Sequence, residues 1–168
     1  VKTYSVFIGI GSNVGDRFKH LVDAAREIKN LPETRYVWSS SVYDTDPWGK
    51  PEQPRFLNAV IEVETSLEPA VLLPKLKEIE TRLGRTSSEP WGPREIDCDI
   101  LIYDGLVQRD ELVQVPHVDL EERRFVLVPL REIAPGLVHP ITGMTMEQLA
   151  SFCSDRGKVL MTSYKINV

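Results

Sequence analysis

Residues 56–65, FLNAVIEVET, alternate in character with a period of two, and this constrains how the rest of the chain can fold. Leu57, Ala59, Ile61 and Val63 fall on one face, while Asn58, Glu62 and Glu64 fall mostly on the other. A strand with one apolar face needs neighbouring strands beside it and a second layer against it. Three further segments can supply the strands. Residues 3–10 (TYSVFIGI) are β-branched and apolar and end at Gly11-Ser12-Asn13, which reads as a buried strand and a tight turn. Residues 35–43 (RYVWSSSVY) suit a strand, as do residues 96–103 (IDCDILIY). Asp104-Gly105 is expected to turn the latter into a short hairpin partner near Leu106–Gln108.

Two amphipathic patterns supply the layer. Phe18, Leu21, Val22, Ala25 and Ile28 recur at spacings of three and four, with Asp16 placed to cap the start and Asn30 and Pro32 to end it. Pro69 opens a second helix whose stripe is Leu72, Leu73, Leu76, Ile79 and Leu83, stopped by Gly84. The order β-α-β-β-α-β is the split βαβ pattern of ferredoxin-like folds. The expected class is therefore α+β: a ferredoxin-like βαββαβ core, a mostly antiparallel sheet with helices on both faces, and an appended hairpin and helices. Those helices are expected near 119–133 and 145–153, while residues 158–166 read ambiguously, a strand being one option. No linker divides the chain, so residues 1–168 are expected to form a single domain with a core of ordinary size.

Composition narrows the function. An apolar fraction of 42% with 27% charged residues is globular. A formal net charge of −5 argues against general nucleic-acid binding. No segment approaches the ~20 apolar residues that cross a bilayer, so no membrane role is expected. The opening VKTYSVFIGIGSN is too short for a signal peptide and has no cleavage-like site. An initial Val rather than Met implies a start that was trimmed or lies upstream. Cys98 and Cys153 make no secreted framework, and two free thiols in a reducing cytoplasm are expected.

IDCDI carries the strongest chemical signal. On a strand, Asp97 and Asp99 project from one face, and Ile96, Cys98 and Ile100 from the other. Two ionised carboxylates on one face repel each other, and a divalent cation removes that repulsion. Magnesium favours such an oxygen set together with waters and phosphate oxygens; the same pair also suits a half-exposed strand facing water. The polar loop 85–94 brings Arg85 and Arg94, with Arg82 and Arg123-Arg124 elsewhere, and guanidinium groups bind phosphate in bidentate fashion. Trp48, Phe56, Trp91 and Phe125 lie in or beside loops and strand ends, where rings either pack the core or sandwich a flat heterocycle. Asn58 has an amide that donates and accepts at once, and a heterocycle edge would satisfy it. His117 is placed to contact phosphate or to act as acid or base. His20 and His139 read as surface or turn histidines. GIGSN lacks the spacing of a phosphate loop and reads as a turn with at most a supporting role.

Together these segments resemble the 6-hydroxymethyl-7,8-dihydropterin pyrophosphokinase family of folate biosynthesis. The likeness runs from about Val6 to Ala150 and rests on IGIGSNVGDR, SSSVYDTDPWG, QPRFLNAVIEVET, ETRLGR, WGPREIDCDIL and VPHVDLEERRFVLVPLREIAP. The resemblance implies transfer of the pyrophosphoryl group of ATP to the hydroxymethyl oxygen of a reduced pterin, releasing AMP. It implies that Asp97 and Asp99 hold two magnesium ions, with Asp97 also helping to draw the proton from the attacking hydroxyl. Arg85, Arg94, His117 and Arg123 fall at phosphate contacts, and Glu80, Lys77 and Ile100 on the nucleotide side. Thr45, Asp46, Trp48, Phe56, Asn58 and Phe125 fall at the pterin pocket, with Trp91 on a loop that closes over it. Asp97 touches both substrates. Asp46 stands where proline is common, and Trp48 where leucine is common. Fusion or association with other folate enzymes is compatible with this reading. Two alternatives stay open on the sequence: a non-catalytic ferredoxin-like ligand-binding module, and a kinase transferring one phosphoryl group.

Overall fold

The computed structural model describes residues 1–85 and 90–168. Its elements are β1 (Tyr4–Ser12), α1 (Arg17–Lys29), β2 (Thr34–Ser39), β3 (Tyr43–Thr45), β4 (Phe56–Thr65), α2 (Pro69–Arg82), β5 (Asp97–Tyr103), β6 (Gln108–Arg109), β7 (Gln114–Val115), a 3-10 turn (Leu120–Glu122), α3 (Arg124–Ile133), α4 (Met146–Phe152) and β8 (Val159–Met161). The sheet runs β5-β1-β4-β3-β8, with β2 also paired to β4, and each of its pairings is antiparallel. With β2 and β3 counted as one interrupted strand, this is the ferredoxin-like order expected from the sequence.

Alternation on the strands sorts side chains into two cores. Ile8, Ile10, Ala59, Ile61, Cys98 and Ile100 pack against Leu21, Ala25 and Ile28 of α1 and Leu72, Leu76 and Ile79 of α2. Phe7, Val60, Leu101 and Ile102 pack against α3 and α4 on the other face, through Leu127, Leu130, Met146 and Leu149. Burying one such aliphatic side chain is worth roughly 1.5–3 kcal/mol, so both faces of the sheet are anchored by several strong contacts. Asp16 caps α1 through a bond from the Lys19 amide, as its position suggests. Thr145 and Gln148 form a reciprocal capping box on α4. Cys98 and Cys153 are free, buried, and lie in different cores. No helix among the described residues is long and apolar enough to cross a membrane.

Several expected boundaries shift, for identifiable reasons. The strand read over 35–43 is two strands, because Ser40, Ser41 and Val42 divert its backbone bonding. Ser40 Oγ accepts the Val60 amide, and the Ser41 amide donates to Glu132 on α3. Tyr43 also donates to Glu132, so the second piece turns toward α3. β3 then takes in Asp44 and Thr45, beyond the expected end of that strand at residue 43. The first strand continues through Gly11 and Ser12 instead of turning there. The hairpin expected after Asp104-Gly105 does not form on β5, and β6 pairs with β7. The outer edge of β5 is already in use: Glu80 accepts the Cys98 amide and the His117 amide donates to the Leu101 carbonyl. The β1–β5 register skips Leu101, which frees that carbonyl. The helix expected over 119–133 begins as the 3-10 turn, and the ambiguous 158–166 segment holds a three-residue strand. His139 holds a turn through bonds from the Ile141 and Thr142 amides to Nδ1, but it is fully buried. The polar loop 85–94 falls in part on residues 86–89, outside the described residues.

Candidate active site

Gly9 and Gly11 face the α3 side of the sheet in the middle strand β1. Across the ladder they oppose Asp99 and Asp97 on β5, and Gly11 opposes Asn58 on β4. Lacking side chains, the two glycines make a low floor on which the Leu101 side chain, over Gly9, and the Asn58 amide, over Gly11, lie close to the backbone. A cavity of about 400 Å³ stands on that floor, within the range that holds small ligands. Its walls include Asp97, Asp99 and Arg85 at one end and Thr45, Phe56 and Asn58 at the other. Trp48, Trp91, Arg94, His117, Arg123 and Phe125 complete it. The structure thus gathers most of the residues singled out from sequence around one space.

The acidic end is already furnished with cations. Arg85 Nη1 donates to Glu80 Oε1 at 2.7 Å and to Asp97 Oδ1 at 2.9 Å. Lys77 Nζ lies 3.2 Å from Glu80 Oε2, 3.1 Å from the Cys98 carbonyl and 3.6 Å from Asp99 Oδ1. Burial pushes the Asp97 carboxyl above the usual range, and the neighbouring Asp99 charge pushes it further. Two like charges held together against their own repulsion, among oxygen donors, fit a hard divalent cation such as magnesium. Among the described residues, no group of three or more His, Cys, Asp or Glu side chains gathers as a metal cage.

Glu80, which the resemblance puts on the nucleotide side, lies behind the cavity wall. It is 4% exposed, does not line the cavity, and has both oxygens engaged by Arg85, Lys77 and the Cys98 amide. Its role in the structure is to fix two cations and the edge of β5. Ile100 is also buried and borders a second hollow of about 210 Å³, next to Leu73, Leu112, Val113 and Val115. Lys77, Asp99 and His117 line both spaces and so form the partition between them.

His117 is held by its own backbone neighbours: Nδ1 accepts the Asp119 amide at 3.1 Å, which assigns the proton to Nε2. Burial, and then the Arg123 charge, lower its pKa to about 4, so the ring is neutral at neutral pH. Arg123 donates to Asp119 and lies 4.7 Å from the Trp48 ring centroid and 5.7 Å from that of Phe125. Its Nε is buried with no hydrogen-bond partner, a donor left for a ligand.

At the other end, Asn58 Nδ2 donates to Thr45 Oγ1 at 2.8 Å, and both side chains are buried. Asp46 lines the cavity, but its carboxylate is bound to Arg55 and to the Lys158 amide. Trp48 and Trp91 meet edge to face with centroids 5.9 Å apart, joining two loops over the opening.

Sequence reasoning missed the residues that hold those loops. Asn13, only 3% exposed, donates through Nδ2 to Gln53 Oε1 and the Pro54 carbonyl, and its Oδ1 accepts the Arg94 amide at 2.8 Å. Gln53 in turn donates to the Trp91 carbonyl. It also missed the floor. The signal was present as Gly9 and Gly11, two residues apart on a strand and therefore on one face.

A sheet that carries paired carboxylates, anchored cations and an aromatic recess around one cavity defines an enzyme that moves an anionic group. Comparison with known proteins gives the particular family. The sequence signature of the 7,8-dihydro-6-hydroxymethylpterin-pyrophosphokinase family matches residues 7–135, and the chain belongs to that family. It is 44% identical over 137 residues to the 2-amino-4-hydroxy-6-hydroxymethyldihydropteridine pyrophosphokinase of Aquifex aeolicus, covering 82% of this chain and 84% of that one. The Haemophilus influenzae protein of the same name is 38% identical over 152 residues, covering 90% of this chain and 95% of that one. A folic acid synthesis protein of Schizosaccharomyces pombe is 35% identical over 163 residues, 97% of this chain but 22% of that longer protein. Among solved structures, a Plasmodium falciparum HPPK-DHPS superposes with a TM-score of 0.72 at 15% identity, over 89% of this chain and 43% of that one. The chain thus spans less than half of that solved protein, and the likeness carries the fold.

Proposed function

We propose that the chain transfers the pyrophosphoryl group of ATP to the hydroxymethyl oxygen of 6-hydroxymethyl-7,8-dihydropterin, releasing AMP, as a step of folate biosynthesis. The observation that carries this is the shared cavity, lined by Asp97 and Asp99 at one end and by Asn58, Phe56 and Phe125 at the other.

The pterin lies at the aromatic end. Phe56 and Phe125 stack on its faces, and the Asn58 amide, held in orientation by Thr45, pairs with its polar edge. Thr45 and Asp46 close that side, and Trp48 and Trp91 cover it. This brings the hydroxymethyl group to Asp97. The second hollow, walled by Leu73, Ile100, Leu112 and Val113, suits the adenine base. The triphosphate then crosses the partition beside Lys77, Asp99 and His117.

In the reaction the hydroxymethyl oxygen attacks the β-phosphorus. The bond from that phosphorus to the oxygen bridging the α-phosphate breaks, and AMP leaves with that oxygen. The hydroxyl proton passes to solvent by way of the Asp97 carboxylate. Arg85, Arg94 and Arg123 place positive charge along the phosphates, and neutral His117 donates from Nε2. Asp97 and Asp99 would hold two magnesium ions, which would supply charge neutralisation for the phosphates. Glu80 acts through Arg85 and Lys77, which it fixes beside the carboxylates.

The test is turnover with ATP and the reduced pterin alcohol, with and without magnesium, followed by identification of the released nucleotide. AMP with a diphosphorylated pterin, formed only with the metal, is expected. Release of ADP would refute pyrophosphoryl transfer, and absence of turnover under all conditions would favour a binding module.

A further inference from the structure

The final segment of the chain lies beyond the residues matched by the family signature, yet it touches both sides of the aromatic end of the cavity. One side is β3 and the loop after it, with Thr45, Asp46 and Trp48. The other is the start of α3, with Arg123 and Phe125. A flat ring held between them depends on their spacing.

The start of α3 has no local cap, since Arg123 offers no side-chain bond to its first turn. Asp155 supplies one from a distance. Its Oδ2 accepts the Arg124 amide at 3.1 Å, and a negative charge at this end is favoured by the helix dipole. Its Oδ1 accepts the Gly157 amide at 2.9 Å, which turns the chain toward β3. The Lys158 amide there donates to Asp46 Oδ2 at 2.9 Å, and the Lys158 carbonyl accepts the Asp46 amide at 3.0 Å. Val159 then faces Thr45 in the β3–β8 ladder. The turn leaves little room at Gly157: a β-carbon there would lie 3.2 Å from Asp155 Oδ1 and 3.7 Å from Asp46 Cβ. The Lys158 amide, helped by Arg55, holds the Asp46 carboxyl below the usual range.

We propose that residues 155–159 are a strap that sets the width of the pterin end of the cavity, with Asp155 the positioning residue that ties it to α3. This rests on the reading of that end as the pterin site. The nucleotide end is held by other contacts, among Lys77, Glu80, Arg85 and β5, none of which involves the strap. Loosening the strap therefore weakens pterin binding far more than ATP binding, since of the phosphate-side cations only Arg123 adjoins the strapped amide, and it is held separately by Asp119.

The experiment measures the affinity of the full chain for the reduced pterin alcohol and, separately, for ATP, in wild type, Asp155→Ala and Asp155→Asn. Loss of a charge-assisted bond predicts pterin affinity lower by roughly five- to tenfold in Asp155→Ala, with ATP affinity within about twofold of wild type. Asp155→Asn keeps one acceptor oxygen for two backbone amides and recovers only part of the loss. If Asp155→Ala does not fold, Lys158→Pro, which deletes the amide that reaches Asp46 together with the lysine charge and fixes the local φ, gives the same split. Unchanged pterin affinity, or equal losses for both substrates, overturns the strap. A wild-type chain that binds no pterin overturns the reading of the cavity, and the strap's role with it.

Discussion

A β-carbon placed on Gly11 would lie 2.3 Å from Asn58 Oδ1, so the amide rests directly on the glycine backbone. The Asn58 side chain has no easy retreat, because Nδ2 is bound to buried Thr45. Gly11 sits within β1 and opposite Asn58 in the β1–β4 ladder, where alanine itself is tolerable backbone chemistry. The cost of Gly11→Ala is therefore local to the amide. The expected outcome is at least about tenfold weaker pterin binding, the scale of one well-made hydrogen bond to a buried group, with ATP binding retained. Calorimetric titration of the two substrates separately checks it. Equal weakening of both would mean that the sheet, not the amide, had moved.

The carboxylate pair yields a prediction that separates activity from stability. Asp97→Asn or Asp99→Asn removes one of two repelling charges. The cations nearby keep their other partner, since Arg85 and Lys77 both remain on Glu80. Thermal midpoints should therefore fall little, while turnover at saturating magnesium falls by at least about two orders of magnitude. Binding of manganese, as a paramagnetic probe of the same site, should weaken in parallel. Near-normal turnover in either variant would remove that carboxylate from the chemistry.

His117 fixes a pH dependence. Its pKa is lowered from 6.5 to about 4 in the folded chain by burial and by Arg123, against smaller opposing effects of Asp119 and Asp97. The unfolded chain therefore binds this proton more readily, and the stability His117 contributes is present in full above pH 6.5. It is lost as pH falls from there through about 4. The neutral ring serves the phosphates across the working range, so the apparent affinity for ATP should show no histidine ionisation between about pH 6 and 8. His117→Ala should flatten the acid limb of a melting-temperature profile. A wild-type profile with no His117-dependent fall between about pH 6.5 and 4 would mean that the ring is solvated and titrates alike folded and unfolded.

The extent to which these features were legible in sequence follows from what each depends on. The alternation of residues 56–65 and the two helical stripes depend on local periodicity, and the structure realises both. Asp97 and Asp99 were legible because strand alternation alone puts them on one face. The break at Ser40-Ser41 was not, because it depends on Glu132, which lies some ninety residues on in α3. The missing hairpin after Asp104 was hidden for the same kind of reason: the edge it needs belongs to Glu80 and His117. Resemblance alone puts Glu80 on the nucleotide side, and its bonds to two cations and a backbone amide were not legible because Arg85 and Cys98 lie five and eighteen residues on. The glycine floor was written in the sequence as G-x-G, but its use appears only when Asn58 and the two aspartates are set beside it.

Gly49 tests how the cavity is covered. Its φ of +88° belongs to glycine, and a β-carbon there would lie 2.9 Å from Trp91 Cγ and 3.0 Å from Trp91 Cβ. Gly49→Ala therefore acts twice, through backbone strain of roughly 1–2 kcal/mol and through a direct push on the Trp48–Trp91 contact. Gly143, with φ +74° and open space around it, feels the strain alone and serves as the control. The measurement is tryptophan quenching by acrylamide in a Trp38→Phe background, since Trp38 lies apart on the sheet surface, bonded to Glu62. In Gly49→Ala, quenching should rise and the KM for the pterin should increase by about tenfold, as expected for a cover that orders its ligand. Gly143→Ala should change neither. If the two variants behave alike, backbone strain accounts for the effect, and the paired tryptophans do not form the cover.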